Sequence, residues 1–294
     1  MFVINYLSVE GLVQEAVLQN CRISDLVLAQ QAEQLEQTPE QVYQTMRESL
    51  AVMRQSVVDG IYPDLRSASG LTGGAAFQMK CWVDDGKNIC GHLFGTAMVK
   101  ALAVSEWNAC MGRIVAAPTA GSCGIIPAAV LTMQEEHKLS EDVAVQALFT
   151  ASAIGMVIAQ NASISGAEGG CQAECGSASA MAAAALVEMA GGTPRQVSHA
   201  SAIALKNILG LVCDPVAGLV EIPCIKRNAM GTANAFTAAE LALAGIESAI
   251  PADEVIAAMK RIGDLMPASL KETAEGGLAG TPSAQRLQRQ IFGV

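Results

Sequence analysis

Two stretches of the chain, Ile114 to Gln134 and Val143 to Ala167, contain no charged residue. Each exceeds the ~20 residues that cross a bilayer, so each must be buried either in lipid or in protein. The first is interrupted by Pro118, Gly121, Gly124 and Pro127, and the second ends in polar Gln160-Asn161-Ala162-Ser163. Neither has the flanking Trp/Tyr belt or Lys/Arg bias of a membrane span. The expectation is helices buried inside a protein, with no membrane insertion. Composition agrees, because only 16% of residues are charged while 51% are hydrophobic, against a usual charged share of about 25%. Only 4% are aromatic. With Ala and Gly prominent in the second half, the core is expected to form by close approach of backbones rather than around large rings.

The formal net charge is −10 and no run of basic residues occurs. This argues against nucleic acid and anionic membranes as partners, since phosphate backbones are bound through clustered Lys and Arg. The start, Met1-Phe2-Val3-Ile4-Asn5-Tyr6-Leu7, lacks a basic region and reaches Glu10 too soon for a secretory signal. The chain therefore reads as cytoplasmic. Its nine cysteines read as reduced thiols or metal ligands rather than as a disulfide framework.

Capping signals divide the chain into helices. Thr38-Pro39-Glu40-Gln41 sets a Thr N-cap before Pro at the first helical position, with Gln three residues on. Val42, Met46, Leu50, Met53 and Val57 then share one face. The pattern recurs at Thr193-Pro194-Arg195-Gln196, with Gly210 as a candidate left-handed stop. Ser140-Glu141-Asp142 starts another helix. A late one begins near Pro251, with Val255, Ile256, Met259 and Ile262 inward. Alternating stretches are scarce, so the fold is expected to be mainly α: a compact helical catalytic domain over 1–294. Its amphipathic N-terminal region is 1–63, and a core with glycine-rich loops follows over 64–294. Three such loops stand out: Ser67 to Gly74, Pro118 to Gly124 and Ser165 to Cys171.

Loops of Gly, Ser and Thr that lead into helices present backbone N–H groups suited to a carboxylate or phosphate. None of the three completes a Walker or dinucleotide fingerprint. Cys21, Cys81, Cys90, Cys110 and Cys123 lie among apolar neighbours, where burial is the default. Cys171, Cys175, Cys213 and Cys224 lie instead at glycine- or proline-rich helix ends, where thiols from different segments can meet at a metal. Their spacing matches neither ferredoxin runs nor zinc ribbons, so buried thiols and a metal centre both stay open at this point.

Longer strings are more specific. Gly166-Ala167-Glu168-Gly169-Gly170-Cys171-Gln172-Ala173-Glu174 and the block from Gly210-Leu211-Val212-Cys213-Asp214-Pro215 to Ile222-Pro223-Cys224 resemble signatures of iron–sulfur-dependent L-serine dehydratases. Ala117-Pro118-Thr119-Ala120-Gly121-Ser122 and Leu71-Thr72-Gly73-Gly74 resemble two further blocks of that family, and the likeness covers nearly the whole chain. The resemblance implies conversion of L-serine to pyruvate and ammonia. It also implies a [4Fe–4S] cluster held by Cys171, Cys213 and Cys224, with one iron left free to act as a Lewis acid on substrate oxygens. Cys175 is a competing ligand, because it shares a helical face with Cys171.

The loop chemistry and these blocks nominate Ser69, Thr72, Thr119, Gly121, Ser122 and Asn161 to bind substrate. His92 and Glu168 are nominated for proton transfer or support of the cluster. Single-chain members of the family carry a further domain whose Ser-Ser-His-Thr motif reaches the active site. That motif is absent here, as is any cysteine after Cys224. The chain therefore resembles the α half of a hetero-oligomer, with the principal base expected on a β subunit. Two other readings remain at this stage: a non-catalytic redox protein with a fully ligated cluster, and a related dehydratase acting on another hydroxy acid.

Overall fold

A computed structural model describes residues 7–293. The readings that involve Met1 to Tyr6 and Val294 lie outside that span. Among the described residues there are thirteen α-helices and no strand, so the fold is mainly α. In chain order these are α1 (Val9–Leu18), α2 (Ile23–Gln34), α3 (Pro39–Gly60), α4 (Ala75–Asp84), α5 (Gly91–Ala109), α6 (Ile125–Glu136) and α7 (Glu141–Asn161). Then come the single turn α8 (Gly166–Gly169), α9 (Ser177–Met189), α10 (Pro194–Lys206), α11 (Cys224–Leu243), α12 (Ala252–Leu265) and α13 (Pro282–Phe292). One turn of π-helix, Gln172–Gly176, precedes α9.

The centre is α9, in which every residue except Glu188 is buried. It packs against α6, α7, α10 and α11. Its run of Ala and Ser leaves little side chain between backbones, so neighbouring helices come close and share one hydrophobic cluster that extends from Val9 to Met259. The helix α7 is the one described helix long and apolar enough to cross a membrane. Here its apolar residues face α2, α3 and α9 and are largely buried.

The expected helix starts occur where the sequence signals them. Thr38 and Thr193 form capping boxes with Gln41 and Gln196, and the Ser140 hydroxyl accepts from the Val143 N–H. The Gln196 amide also donates to the carbonyls of Ala242 and Leu243, so one cap closes a second helix's C-terminus. Gly210 has a left-handed φ of 86°, but it does not stop α10. That helix ends at Lys206, and three further residues of turn precede the glycine.

Distant carboxylates cap other helices. Asp253 on α12 accepts from the N–H groups of Val9 and Glu10, at 2.7 and 3.0 Å. Glu106 on α5 does the same for Ala75 and Ala76, at 2.9 and 3.0 Å. Glu188 accepts from the Ser24 N–H and the Thr150 hydroxyl. Negative charge at the positive end of a helix dipole is favourable, so these contacts fix which helix starts lie beside which neighbours. Burial raises the Glu188 pKa above the usual carboxylate value, and its hydrogen bonds oppose that rise.

Close approach is tightest where Gly60 ends α3 against α5. A Cβ there would lie 2.0 Å from the Ala103 carbonyl oxygen, which is backbone and cannot rotate away. Gly60→Ala is expected to destabilise the fold by at least about 3 kcal/mol, the upper end of ordinary overpacking. Urea titration followed by circular dichroism measures this.

Candidate functional site

The three glycine-rich loops lie at helix ends, and buried polar side chains tie each of them to the segment 210–228. Asn228, on the second turn of α11, connects the middle loop to Cys224. Its Oδ1 accepts from the Gly124 N–H at 2.8 Å, and its Nδ2 donates to the carbonyls of Gly121 and Cys224 at 2.8 and 2.9 Å. Gln172 does the same for the third loop. Its amide donates to the Gly169 and Met259 carbonyls, and its oxygen accepts from the Gly210 N–H. The first loop is tied through Glu221, which is only 5% exposed. The hydroxyls of Ser69 and Thr72 donate to its two carboxylate oxygens at 2.8 and 2.6 Å.

Four thiols are buried in this region: Cys171, Cys175, Cys213 and Cys224. Cys171 opens the π-helical turn, and its sulfur lies 3.4 Å from that of Cys175. Cys213 is held by its backbone, which donates to the Leu270 carbonyl and accepts from the Glu272 N–H, at 2.9 and 2.8 Å. Cys224 begins α11. Glu174 is the carboxylate among them. One of its oxygens accepts from the Thr119 hydroxyl at 2.9 Å, and the other lies 3.9 Å from the Cys213 sulfur. Gly166 faces the same point, where a Cβ would come within 2.8 Å of both the Cys213 sulfur and Glu174.

The electrostatics differ among the thiols. The neighbouring Cys175 S–H, and then the Arg227 guanidinium, hold Cys171 below the ordinary thiol value against the cost of burial. Burial, followed by the Glu174 and Cys171 charges, pushes Cys213 up. Burial and then the Cys171 charge push Cys224 up to about 12. Burial likewise raises the Glu174 carboxyl, with the Thr119 hydroxyl opposing. Among the described residues, no three His, Cys, Asp or Glu side chains close on one point as a single ion requires.

Residues 18–279 match the family described as serine dehydratase alpha chain. The chain is 54% identical over 271 residues to the probable L-serine dehydratase alpha chain of Bacillus subtilis, which covers 92% of this chain and 90% of that one. It is 46% identical over 271 residues to the L-serine dehydratase alpha chain of Peptoniphilus asaccharolyticus, covering 92% and 93%. The chain belongs to the serine dehydratase alpha chain family. L-serine dehydratase 1 of Escherichia coli is 48% identical over 182 residues, which are 61% of this chain but 40% of that protein. The match to that longer serine dehydratase is thus confined to part of each chain.

Within this serine dehydratase alpha chain, the residues nominated from sequence separate into two groups. Thr119, Gly121 and Ser122 share a loop with Glu174 beside it, and Thr119 Oγ lies 3.2 Å from Ser122 Oγ. Cys171, Cys213 and Cys224 are buried in the same neighbourhood. The others are placed differently. Ser69 and Thr72 donate to Glu221, as Thr119 donates to Glu174. Asn161 donates its amide to the Leu7 and Val157 carbonyls.

His92 is an exposed side chain paired with Glu136 at 2.8 Å. It therefore sits at the far end of α6 from the Thr119 loop, separated by twelve residues of helix, about 18 Å. Glu168 accepts from the Ser163 hydroxyl at 2.6 Å and lines a polar cleft with Lys260, Asp264 and Lys271. The carboxylate among the thiols is Glu174. Cys81 and Cys90, expected to be buried, are exposed, whereas Cys123 is buried as expected.

Sequence reasoning missed Glu174, Glu221, Asn228 and Arg227. Glu174 and Glu221 stand inside the quoted signature blocks, and that position was the available signal. Glu221→Ala removes the acceptor for two hydroxyl groups at a buried site, and bonds to charged groups contribute about 1.5–3 kcal/mol each. It is expected to destabilise the chain by roughly 3 kcal/mol or more, with Glu221→Gln losing about half as much. Denaturant melts of the two variants measure the difference.

Proposed function

We propose that this chain is the catalytic α subunit of an L-serine dehydratase that forms pyruvate and ammonia, with Cys171, Cys213 and Cys224 holding a [4Fe–4S] cluster. The observation that carries this reading is the burial of these three thiols, from three chain segments, in one neighbourhood of a serine dehydratase alpha chain. A cluster takes each thiolate on a separate iron, so thiols that are neighbours without closing on one point suit it better than a single ion. Gly166 supports the fit, since any side chain there would occupy the space beside the Cys213 sulfur. When bound, the cluster supplies a Lewis-acidic iron for the substrate's oxygens.

The chain's own residues then have separable roles. The Thr119 loop leads into the start of α6, whose N-terminus is the positive end of its dipole, with Ser122 buried beneath it. That is a suitable place for serine's carboxylate. Asn228 keeps this loop against the Cys224 turn, so substrate and thiols keep a fixed relation. The contact with Cys171, and then burial, raise the Cys175 thiol above its ordinary value. We assign it a supporting rather than a ligating role.

The base that removes the Cα proton is assigned to a β subunit. A base must come within hydrogen-bond reach of the proton, and the three histidines lie elsewhere. His92 pairs with Glu136, the His199 ring accepts from the Ser248 N–H at 3.2 Å, and His137 is exposed where α6 ends. Apolar surface beside the site supports a partner. Met111 is 87% exposed one turn past Asn108, whose amide donates to Ala120 in the Thr119 loop. Tyr62 is 58% exposed, next to Pro63, whose carbonyl abuts Gly74.

Anaerobic reconstitution with iron and sulfide should give the purified chain a broad visible absorption that changes on adding L-serine. Cys171→Ser, Cys213→Ser and Cys224→Ser should each abolish it, whereas Cys21→Ser and Cys81→Ser should leave it intact. A Cys213→Ser protein with a full cluster would overturn the ligand assignment. Pyruvate formation should be slow with the α chain alone and rise to saturation as β chain is titrated in. Full turnover by the pure α chain would place the base within this sequence.

A further inference from the structure

Arg227 stands three residues after Cys224 on the first turn of α11, and therefore on the same helical face. Its side chain turns away from its own helix towards the segment that carries Cys213. One guanidinium nitrogen donates to the Val212 carbonyl and another to Asp214 Oδ1, both at 2.8 Å, so the two bonds straddle Cys213. The positive charge of Arg227 also lowers the Cys171 thiol, after the larger effect of Cys175. Asp214 is buried and uses its second oxygen to accept from the Leu278 N–H at 2.7 Å. The Arg227 side chain is 14% exposed.

Burying an ion pair is costly and is weak evidence for stability by itself. Here one cation ties the helix that carries Cys224 to both sides of Cys213, and its charge acts on Cys171. Guanidinium suits this task because its planar fork of five donors serves several acceptors in fixed directions, whereas an ammonium acts as a point charge. Asp214 pairs with one edge of the guanidinium and adds a negative charge of its own, so thiolates gathered in this low-dielectric site, which repel one another, still call for a cation.

We infer that Arg227 is the positioning residue that gathers Cys171, Cys213 and Cys224 into one cluster site and offsets the negative charge of their thiolates. This rests on the cluster reading above and adds to it a residue that ligates nothing. Two consequences separate such a role from that of a plain structural clamp. Outer-shell partners of metal ligands influence affinity by about 10–100-fold, and hydrogen bonds and net charge at the sulfurs set a cluster's reduction potential.

The test compares wild type, Arg227→Lys and Arg227→Gln after anaerobic reconstitution with ferrous iron and sulfide. The readouts are iron release to a chelator, the cluster's midpoint potential, and folding by circular dichroism. Arg227→Gln should release iron roughly 10–100-fold faster and shift the potential to more negative values. Arg227→Lys keeps the charge but loses the fork, so it should release iron at an intermediate rate with a potential near that of wild type. Identical release and potential in wild type and Arg227→Gln would overturn the inference, as would an equal loss of potential in Arg227→Lys and Arg227→Gln. If Arg227→Gln does not fold, Arg227→Lys decides, and wild-type iron release in that variant counts against the clamp. A wild-type chain that takes up no iron would instead overturn the cluster reading itself, and this inference with it.

Discussion

The close approach of helix backbones around α9 governs the architecture. Twelve of its thirteen residues are buried, and most are alanine or serine. Small side chains leave short distances between helix axes, so α6, α7, α10 and α11 can all touch the same central helix. That density leaves little room for adjustment: Gly60 meets the Ala103 backbone, and Gly124 meets the Ala101 backbone, with no space for a methyl group. Interiors packed in this way behave like crystals rather than fluids. The helix ends, and the loops on them, are therefore carried at fixed positions.

Fixed helix ends allow buried polar side chains to act as ties. Asp253, Glu106 and Glu188 each cap a helix remote in sequence. Glu221, Asn228, Gln172 and Arg227 perform the corresponding task among the loops. A buried polar group without partners is expensive, and each of these has at least two partners, although one Glu188 oxygen has none. Loop positions are thus specified by polar satisfaction, and the body beneath them by packing. The separation suits a site of buried thiols, because the loops can be shaped for chemistry without disturbing the core.

Charge distribution within the site follows the same division. Glu174 and three cysteines concentrate acidic groups, while Arg227 is the cation that reaches in. Burial without a metal pushes Cys213 and Cys224 towards their neutral forms. A bound metal centre reverses that preference, since a coordinating thiol is deprotonated outright.

Local chemistry written in the chain fixed the helix starts. Thr38, Ser140 and Thr193 cap helices because a cap involves only residues three apart, and such spacings are visible in sequence. The glycine-rich loops were legible for the same reason, whereas Cys171, Cys213 and Cys224 were set apart from Cys175 only by the resemblance of their signature blocks to a family. Gly210 was misjudged as a helix stop because a left-handed residue marks a turn without saying how many residues precede it. Only the tertiary structure decided that Ser69 and Thr72 hold Glu221, across 152 and 149 residues. It alone separated Glu174, placed among the thiols, from Glu168, turned towards another cleft. Two carboxylates six residues apart in one signature look equivalent in sequence. Which one meets a cysteine depends on a π-helical turn and on distant segments packing against it, and no local spacing encodes that.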